Sequence, residues 1–368
     1  MSVLDSRATP AAPAAPPDGA PPAPRRGRTG LFRALLANRK ALFGAAVLVV
    51  FALLAALAPV IAPGDPSKIN STGASEPSAA HPFGTTAKGQ DVLALTLWGA
   101  RSSLLVGFSV GLAATALAVL VGMAAAYFGR ITDDLLSLIT NVFLLVPGVP
   151  LLVILAAFMP PGTTTVILVL VITGWAGSAR VLRAQAKSIR GKDFVAAAVV
   201  SGERPLRIMF REILPNMASV VMTTLLGCVI FGIGAQAGLE FLGLGDASVV
   251  SWGTNLYWAG NDGALMTGAW WVFVPSGLCI ALVAFALAMA NYAVDEITNP
   301  RLRARRTKAP AVTEVRAATE VRAATEAPAA ATKAPAVTEV RAAATEARAV
   351  TEVRAAATEA PAVNRKES

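Results

Sequence analysis

The side chains that could do chemistry are few and scattered along this sequence. The chain has one histidine, His81, and two cysteines, Cys228 and Cys279. His81 has no second histidine or cysteine nearby, so we expect a polar loop residue, and both cysteines lie in apolar runs, which favours packing over a disulfide or a metal pair. The sequence contains neither a GxxxxGK[ST] phosphate loop nor an HExxH pair, and no Ser, His and acid set for nucleophilic catalysis is evident. We therefore predict no catalytic, cofactor or metal site in this chain.

Three further polar side chains, Asn141, Gln236 and Asn291, lie inside long apolar runs. A polar residue at such a position either bonds to a neighbouring helix or contacts a transported substrate. Hydrogen bonding to a neighbouring helix is the commoner of these two roles. We therefore predict interhelical hydrogen bonds and assign no binding site to these residues.

The composition indicates an integral membrane protein. Apolar residues make up 55% of the 368 residues and charged residues only 15%, which is far from the balance of a soluble domain. The formal net charge of +9 could suggest a nucleic-acid partner. However, the basic residues cluster at the ends of apolar runs, where the positive-inside rule places them. We interpret them as signals of membrane topology.

The hydropathy pattern predicts an all-α protein with six membrane spans. They cover residues 41–62, 103–128, 135–158, 164–182, 217–241 and 268–292. Pro147 and Pro150 predict a kink in the third span, and residues 92–98 could form a short helix in the outer interface. The loop before residue 193 is basic, whereas the loop after the fifth span carries Glu240, Asp246 and Asp262 without Lys or Arg. This asymmetry predicts that both termini are cytoplasmic.

The two ends of the chain differ from its middle. Residues 1–38 are rich in Pro and Ala, which predicts a disordered cytoplasmic arm rather than a signal peptide. Residues 307–368 repeat units such as TEVRAA with alternating charges and few bulky apolar residues, so we predict a low-complexity, disordered cytoplasmic tail. The membrane domain is therefore predicted to cover residues 39–306.

A charged segment at residues 192–216, KDFVAAAVVSGERPLRIMFREILPN, separates the fourth and fifth spans. Residues 194–200 favour a short apolar helix, Gly202 permits a turn, and Pro205 suits the first position of a second helix. Pro215 ends that helix. With α-helical spacing, the second helix has two opposite faces: Arg204, Arg207 and Arg211 on one, and Leu206, Met209, Phe210 and Ile213 on the other.

This segment resembles the cytoplasmic coupling loop of ABC-importer permeases, whose consensus is Glu-Ala-Ala, then three residues to a Gly, and a closing Leu-Pro. Ala197, Ala198 and Gly202 match, as do Leu214 and Pro215. Ala196 stands where the family usually has Glu, which removes an ionic contact, and Glu212 stands where it often has His. The resemblance implies an ATPase-coupling surface built from Phe194, Val195, Ala196, Ala197, Ala198, Gly202, Arg204, Arg207, Leu214 and Pro215.

Two outer stretches resemble the dipeptide/oligopeptide/nickel class of these permeases. Before the second span, the matching residues are Phe83, Gly84, Thr85, Gly89, Asp91, Gly99, Ala100 and Arg101, while Gln90 replaces Arg and Trp98 replaces Tyr. After the fifth span, LEFLGLGDASVVSWG matches a family loop in which Ser usually stands at the position of Glu240.

The resemblance implies the second, C-type permease subunit of a type I ABC importer in the inner (plasma) membrane. Such a subunit is not an enzyme. Its partners would be a sister permease in a heterodimer, two cytoplasmic ATPase subunits that bind ATP and Mg, and an external substrate-binding protein. Transport would follow by alternating access. Short peptides are the expected substrate, with oligosaccharides, nickel chelates and haem as alternatives, and a non-transporting scaffold or channel is the alternative class.

Overall fold

The computed structural model describes residues 38–69 and 73–298 of the chain. The predictions for the tail at 307–368, and for all but the last residue of the arm at 1–38, therefore lie outside the described residues. In the described part the protein is helical, and its one β-bridge joins Thr85 and Asp91. This confirms the predicted all-α class for these residues.

The helices are α1 Arg39–Ile61, α2 Val92–Phe128, α3 Arg130–Leu145, α4 Gly148–Phe158, α5 Thr163–Arg190, α6 Asp193–Val200, α7 Pro205–Arg207, α8 Leu214–Asn216, α9 Ala218–Phe241, α10 Trp252–Asn261 and α11 Trp270–Thr298, with a π-helical turn Ile208–Ile213 between α7 and α8. In the part of the chain that the structure describes, five helices are long and apolar enough to cross a membrane: α1, α2, α5, α9 and α11. Helices α3 and α4 meet at a bend of 87°, and the two together make a sixth span if they are taken as a single broken span.

The bend between α3 and α4 lies at the predicted proline. Helix α3 ends at Leu145, and Val146 is extended at φ −71° and ψ 128° because a residue before proline disfavours helical geometry. Pro150 falls in the first turn of α4, where a missing N–H removes no hydrogen bond within the helix. The predicted kink is therefore a complete break in the helix.

Two predicted boundaries are wrong. Helix α2 begins at Val92 and not near residue 103, because Asp91 caps it: Oδ1 accepts hydrogen bonds from the backbone N–H groups of Leu93 at 2.8 Å and Ala94 at 3.1 Å. The stretch expected to form a separate interfacial helix is thus the start of α2. At the C-terminal end of α2 the chain turns at Gly129, whose φ is +62°, so the acidic residues expected in a loop lie in α3.

Helix α2 is central, and small residues bring it close to α9. A Cβ added to Gly107 would lie 2.2 Å from Cγ1 of Ile233, and one added to Gly111 would lie 2.3 Å from Cγ2 of Val229. Larger side chains at these positions would separate the helices, as expected for small residues spaced four apart in membrane helices.

Helix α10 packs into the end of the bundle where α2 begins, through Trp252, which is fully buried. The indole Nε1–H of Trp252 donates to the carbonyl of Thr96 at 3.1 Å, and its backbone N–H donates to Oγ of Ser103 at 3.1 Å. Phe51 of α1 packs edge-on against the same ring at 5.8 Å between centroids. The segment after α9 is therefore fixed against α1 and α2.

Candidate coupling segment and outer loops

The first half of the segment at 192–216 is helix α6, which ends in a glycine turn. Gly202 has φ +74°, and its N–H donates to the carbonyl of Val199 at 3.0 Å. The N–H of Glu203 donates to the carbonyl of Ala198 at 3.2 Å. These two bonds form a Schellman motif, in which a glycine in the left-handed region satisfies the last carbonyls of the helix. The turn expected at Gly202 is present and requires a residue that tolerates positive φ.

The second half departs from regular α-helical geometry. Pro205 begins α7, as expected, but residues Ile208–Ile213 form a π-helical turn. The backbone N–H of Leu214 donates to the carbonyl of Met209, five residues earlier. A π turn shifts the side chains that follow it, so the two faces drawn from α-helical spacing do not hold throughout.

Four apolar side chains of the segment anchor it to the bundle. Val195, Ile208, Met209 and Ile213 are buried in one cluster with residues from the inner ends of α2 and α5. Leu214 packs at the edge of this cluster and is half-buried. The segment thus shares one buried cluster with two long helices and is joined through Asn216 and Met217 to a third, α9. A displacement of its surface would move these helices with it.

The opposite side of the segment exposes large apolar side chains beside three arginines. Leu206 and Phe210, expected on a covered face, are exposed, and only Met209 and Ile213 of that set are buried. Val200 is 89% exposed. The exposed apolar residues are Phe194, Val199, Val200, Leu206 and Phe210, and the exposed arginines are Arg204, Arg207 and Arg211.

The structure divides the predicted coupling residues between these two sides. Phe194, Ala196, Ala197, Gly202, Arg204, Arg207 and Pro215 are exposed, Val195 is buried, and Ala198 and Leu214 are half-buried. Glu203 Oε1 lies 3.7 Å from Nε of Arg207, a loose contact between residues four apart. The surface is therefore apolar with a basic rim, which suits a protein partner with an apolar cleft and acidic edges.

An ionic cluster that the sequence did not reveal fixes the helix leading into this segment. Asp133 of α3 accepts hydrogen bonds from Arg183 at 2.5 Å and 2.8 Å and from Lys187 at 2.6 Å. Three residues further on, Arg190 donates to the carbonyl of Ala126 at 2.9 Å. The only signal in the sequence was the spacing of the basic residues along one face of α5. These bonds tie the inner end of α5 to α2 and α3.

Glu240, near the C-terminal end of α9, is buried and not part of an exposed acidic loop as predicted. It is 6% exposed and lies in α9, where its carboxylate accepts hydrogen bonds from Nε2 of Gln236 at 2.9 Å and from Oγ of Ser251. Ser251 in turn caps α10. The carboxylate therefore joins the end of α9 to the start of α10, and Gln236 bonds within its own helix rather than between helices.

The accessible negative charge after α9 comes instead from Asp246 and Asp262, which are both half-buried. The backbone N–H and the hydroxyl of Ser248 donate to Asp246 at 3.0 Å and 2.6 Å, and these bonds hold the pKa of that carboxyl below its usual range.

Among the other polar residues, Asn141 and His81 have local partners, whereas the side-chain oxygen of Asn291 is buried and accepts no hydrogen bond from the residues that the structure describes, so the interhelical bond expected there is not seen at that atom. Asn141 forms the expected interhelical bond, accepting from Nη2 of Arg180 at 2.7 Å. His81 Nδ1 lies 2.7 Å from the carboxylate of Asp91 and so supports the start of α2. Both cysteines are free. Within residues 38–69 and 73–298, no group of three or more His, Cys, Asp or Glu side chains could hold a metal ion.

Comparisons with known proteins agree with this architecture. A family model described as the binding-protein-dependent transport system inner membrane component matches residues 118–304, and one described as the N-terminal TM domain of oligopeptide transport permease C matches residues 30–80. The chain is 32% identical over 276 residues to the dipeptide transport system permease protein DppC of Bacillus subtilis, covering 74% of this chain and 85% of that protein. It is 30% identical over 284 residues to the oligopeptide transport system permease protein OppC of Mycobacterium tuberculosis, covering 76% and 96%.

Proposed function

Because the chain belongs to the family of binding-protein-dependent transport system inner membrane components, we propose that it is the C-type permease subunit of an ATP-driven importer of short peptides. Members of this family are non-catalytic, multi-pass membrane subunits. The observation that carries the proposal is the coupling segment, since an exposed apolar and arginine-bearing surface is packed rigidly on the long helices of the bundle.

The coupling segment passes force between a cytoplasmic partner and the membrane helices. The two partner ATPase subunits bind ATP and Mg, and their closure moves the surface around Phe194 and Leu206. Because Val195 and Ile213 are packed against α2 and α5, the displacement continues into the bundle as a rigid-body motion. The translocation path then opens outward, which is the alternating access expected of this architecture. Transmitting this motion requires no catalytic group in the chain.

The bundle crosses the membrane six times with both termini in the cytoplasm. Five long apolar helices and the bent pair α3 and α4 support this number. The basic C-terminal end of α5 and the acidic outer loop at Asp246 and Asp262 support the orientation.

The chain works beside a sister permease and an external substrate-binding protein. Helix α3 exposes Leu138, Val142 and Leu145 along its length, in the region where it bends into α4. An unpartnered apolar face at membrane depth suits a second permease subunit, which would complete the translocation path.

Short peptides are the proposed cargo because the relatives are named dipeptide and oligopeptide permeases. The outer carboxylates of Asp246 and Asp262 disfavour strongly anionic cargo and leave zwitterionic peptides acceptable. Uptake of labelled di- and tripeptides, against cello-oligosaccharides, should be measured in cells with and without this chain. Loss of sugar uptake with intact peptide uptake would refute peptides as the cargo. If the cargo were a nickel chelate or haem, neither peptide uptake nor sugar uptake would depend on this chain, and that result would also refute peptides as the cargo.

The coupling role is tested with Gly202→Val and Phe194→Asp. Gly202 has open space around the position of a Cβ, so the valine costs only backbone strain, on the order of 1–3 kcal/mol. Gly64→Val is the matched control, because Gly64 also has positive φ and open space but lies in the outer segment. We expect the two coupling variants to assemble with the partners and lose substrate-stimulated ATP hydrolysis, while Gly64→Val retains it. Normal transport by the double variant Gly202→Val, Phe194→Asp would refute the coupling assignment.

A further inference from the structure

A cavity of about 310 Å³ lies at the end of the bundle where α2 begins and α9 ends. Its walls come from the segment before α2, the loop after α9, helix α10 and the start of α11. At roughly 30 Å³ for each water, it has room for about ten waters, or for the roughly ten non-hydrogen atoms of a dipeptide of two small residues. The coupling mechanism makes no use of it.

One ammonium and one carboxylate face this cavity, and neither is fully neutralised by the other. Lys88 Nζ lies 3.9 Å from Oδ1 of Asp262, which exceeds the length of a direct hydrogen bond. The same ammonium lies 3.1 Å from the centroid of the Trp258 ring, a cation–π contact that leaves its N–H groups available. The side chains of Lys88 and Asp262 are 39% and 20% exposed, so both remain accessible to a ligand.

The position of Asp262 favours a positively charged ligand group. Asp262 is the C-cap of α10, where the backbone carbonyls give the helix end a partial negative charge. A carboxylate at that end is unfavourable unless a cation accompanies it, and Lys88 forms only a loose ion pair with it at 3.9 Å, without a direct hydrogen bond. A ligand ammonium placed beside Asp262 would be stabilised by both the carboxylate and the helix end.

Asn255 provides a fixed polar group in the same wall. Its Nδ2 donates to the carbonyl of Leu95 at 3.0 Å and to Oγ of Ser276 at 3.2 Å. Both N–H groups are thus used within the protein, which locks the side chain and leaves its carbonyl oxygen as an acceptor for a ligand N–H. Trp258 is itself held by a bond from Nε1 to the carbonyl of Ala247 at 3.1 Å, so its ring is a preformed apolar wall.

We propose that this cavity binds a small zwitterion of dipeptide size, with its carboxylate on Lys88 and its ammonium at Asp262 and Asn255. A ligand side chain packs against Trp258. A neutral sugar could stack on the same ring, but it would desolvate Lys88 and Asp262 without supplying opposite charges. The identification of the zwitterion as transported peptide rests on the proposed function, whereas the binding itself does not.

The test is calorimetric titration of the permease–ATPase complex in nanodiscs, without the external binding protein, using L-alanyl-L-alanine. The comparison ligand is N-acetyl-L-alanyl-L-alanine amide, which lacks both charges. We expect the dipeptide to bind and the blocked derivative to bind about tenfold more weakly or not at all, the loss expected for a missing charge-assisted hydrogen bond. Equal binding of the two ligands, or binding of neither, would overturn the proposal.

Substitutions of residues that line the cavity test whether the dipeptide binds there. Lys88→Ala and Asp262→Asn should each weaken dipeptide binding about tenfold, while Lys68→Ala, a nearby exposed lysine outside the cavity, should not. Ser248→Trp fills the cavity from its exposed rim without touching either charged residue, so it tests the site even if Lys88→Ala does not fold. Unchanged affinity in Ser248→Trp and in the folded charge variants would overturn the proposal.

The uptake experiment separates this site from the proposed function. If the dipeptide binds as expected but peptide uptake does not depend on this chain, the site stands and the proposed cargo is wrong. If uptake depends on the chain but the dipeptide does not bind the complex, the cavity proposal alone fails.

Discussion

The contact between α2 and α9 allows a sharp test of the packing, through the substitution Gly111→Ala. A Cβ at this position would lie 2.3 Å from Cγ2 of Val229 and 3.1 Å and 3.2 Å from its backbone N and Cα. Valine is stiff at χ1, and backbone atoms cannot move aside without shifting the helix. At Gly107 the three atoms nearest to the added Cβ all belong to the side chain of Ile233, at 2.2, 3.1 and 3.5 Å, so no backbone atom lies as close as at Gly111. Gly111→Ala should therefore be the more damaging of the two.

The expected magnitude has two parts of opposite sign. Overpacking at a tight helix contact costs about 1–3 kcal/mol of folding free energy. Replacing glycine by alanine within a helix raises the folding stability by about 0.5–1 kcal/mol. Gly227 and Gly234 of α9 isolate the second part, because a Cβ at either position meets nothing within 4 Å. The difference between Gly111→Ala and Gly227→Ala is then the overpacking cost alone, about 1–3 kcal/mol.

The assay is reversible unfolding of the full chain in mixed micelles with an increasing fraction of SDS, followed by tryptophan fluorescence. The expected order of unfolding free energies, from lowest to highest, is Gly111→Ala, Gly107→Ala, the unmodified chain and Gly227→Ala. If Gly111→Ala were as stable as Gly227→Ala, α2 and α9 would not pack as closely as the structure shows. If Gly227→Ala were as damaging as Gly111→Ala, the cost would arise from glycine loss in general and not from this contact.

Four further outcomes are expected. Asp133→Asn removes the charge that Arg183 contacts and should lower the unfolding free energy by about 1–3 kcal/mol, a value between those of exposed and buried ion pairs; a stability equal to that of the unmodified chain would contradict it. Trp252→Phe should cost about 1–3 kcal/mol in the same assay, because a buried carbonyl loses its indole donor; no change would show that water replaces this bond. A cysteine at Thr338 should be labelled only after the cells are opened, and labelling of intact cells would refute a cytoplasmic C-terminus. A chain ending after Lys308 should insert and support uptake normally, and failure of uptake would reveal a partner of the tail.

The family and the local geometry of the coupling turn could be predicted from the sequence. The spacing of Ala197, Ala198, Gly202, Leu214 and Pro215 led to the ABC-importer permeases, and the family comparisons confirm this assignment. The turn at Gly202 was predictable because positive φ is a property of one residue and its immediate neighbours. The helix break at Pro147 was predictable for the same reason.

Boundaries set by capping were harder to predict than breaks set by proline. The start of α2 at Val92 depends on the carboxylate of Asp91, a residue that the sequence marks only as part of a family motif. The π turn holds the exposed Phe210 and the buried Ile213, which lies in a cluster with residues of α2 and α5. A pattern based on 3.6 residues per turn cannot anticipate a local change in that period.

The sequence by itself determined which segments are apolar enough to span a membrane, where prolines and glycines interrupt them, and which end of the bundle is basic, since each is a property of a short stretch of chain. Only the tertiary structure decided that Asp133 is the partner of Arg183, that Glu240 is buried, and that Lys88 and Asp262 face one cavity. Each of these depends on residues 50, 11 or 174 positions apart being brought together by helix packing. Hydropathy specifies that a helix is buried in the membrane, but lipid is as apolar as a neighbouring helix, so the choice of neighbour rests on shape and on specific polar contacts.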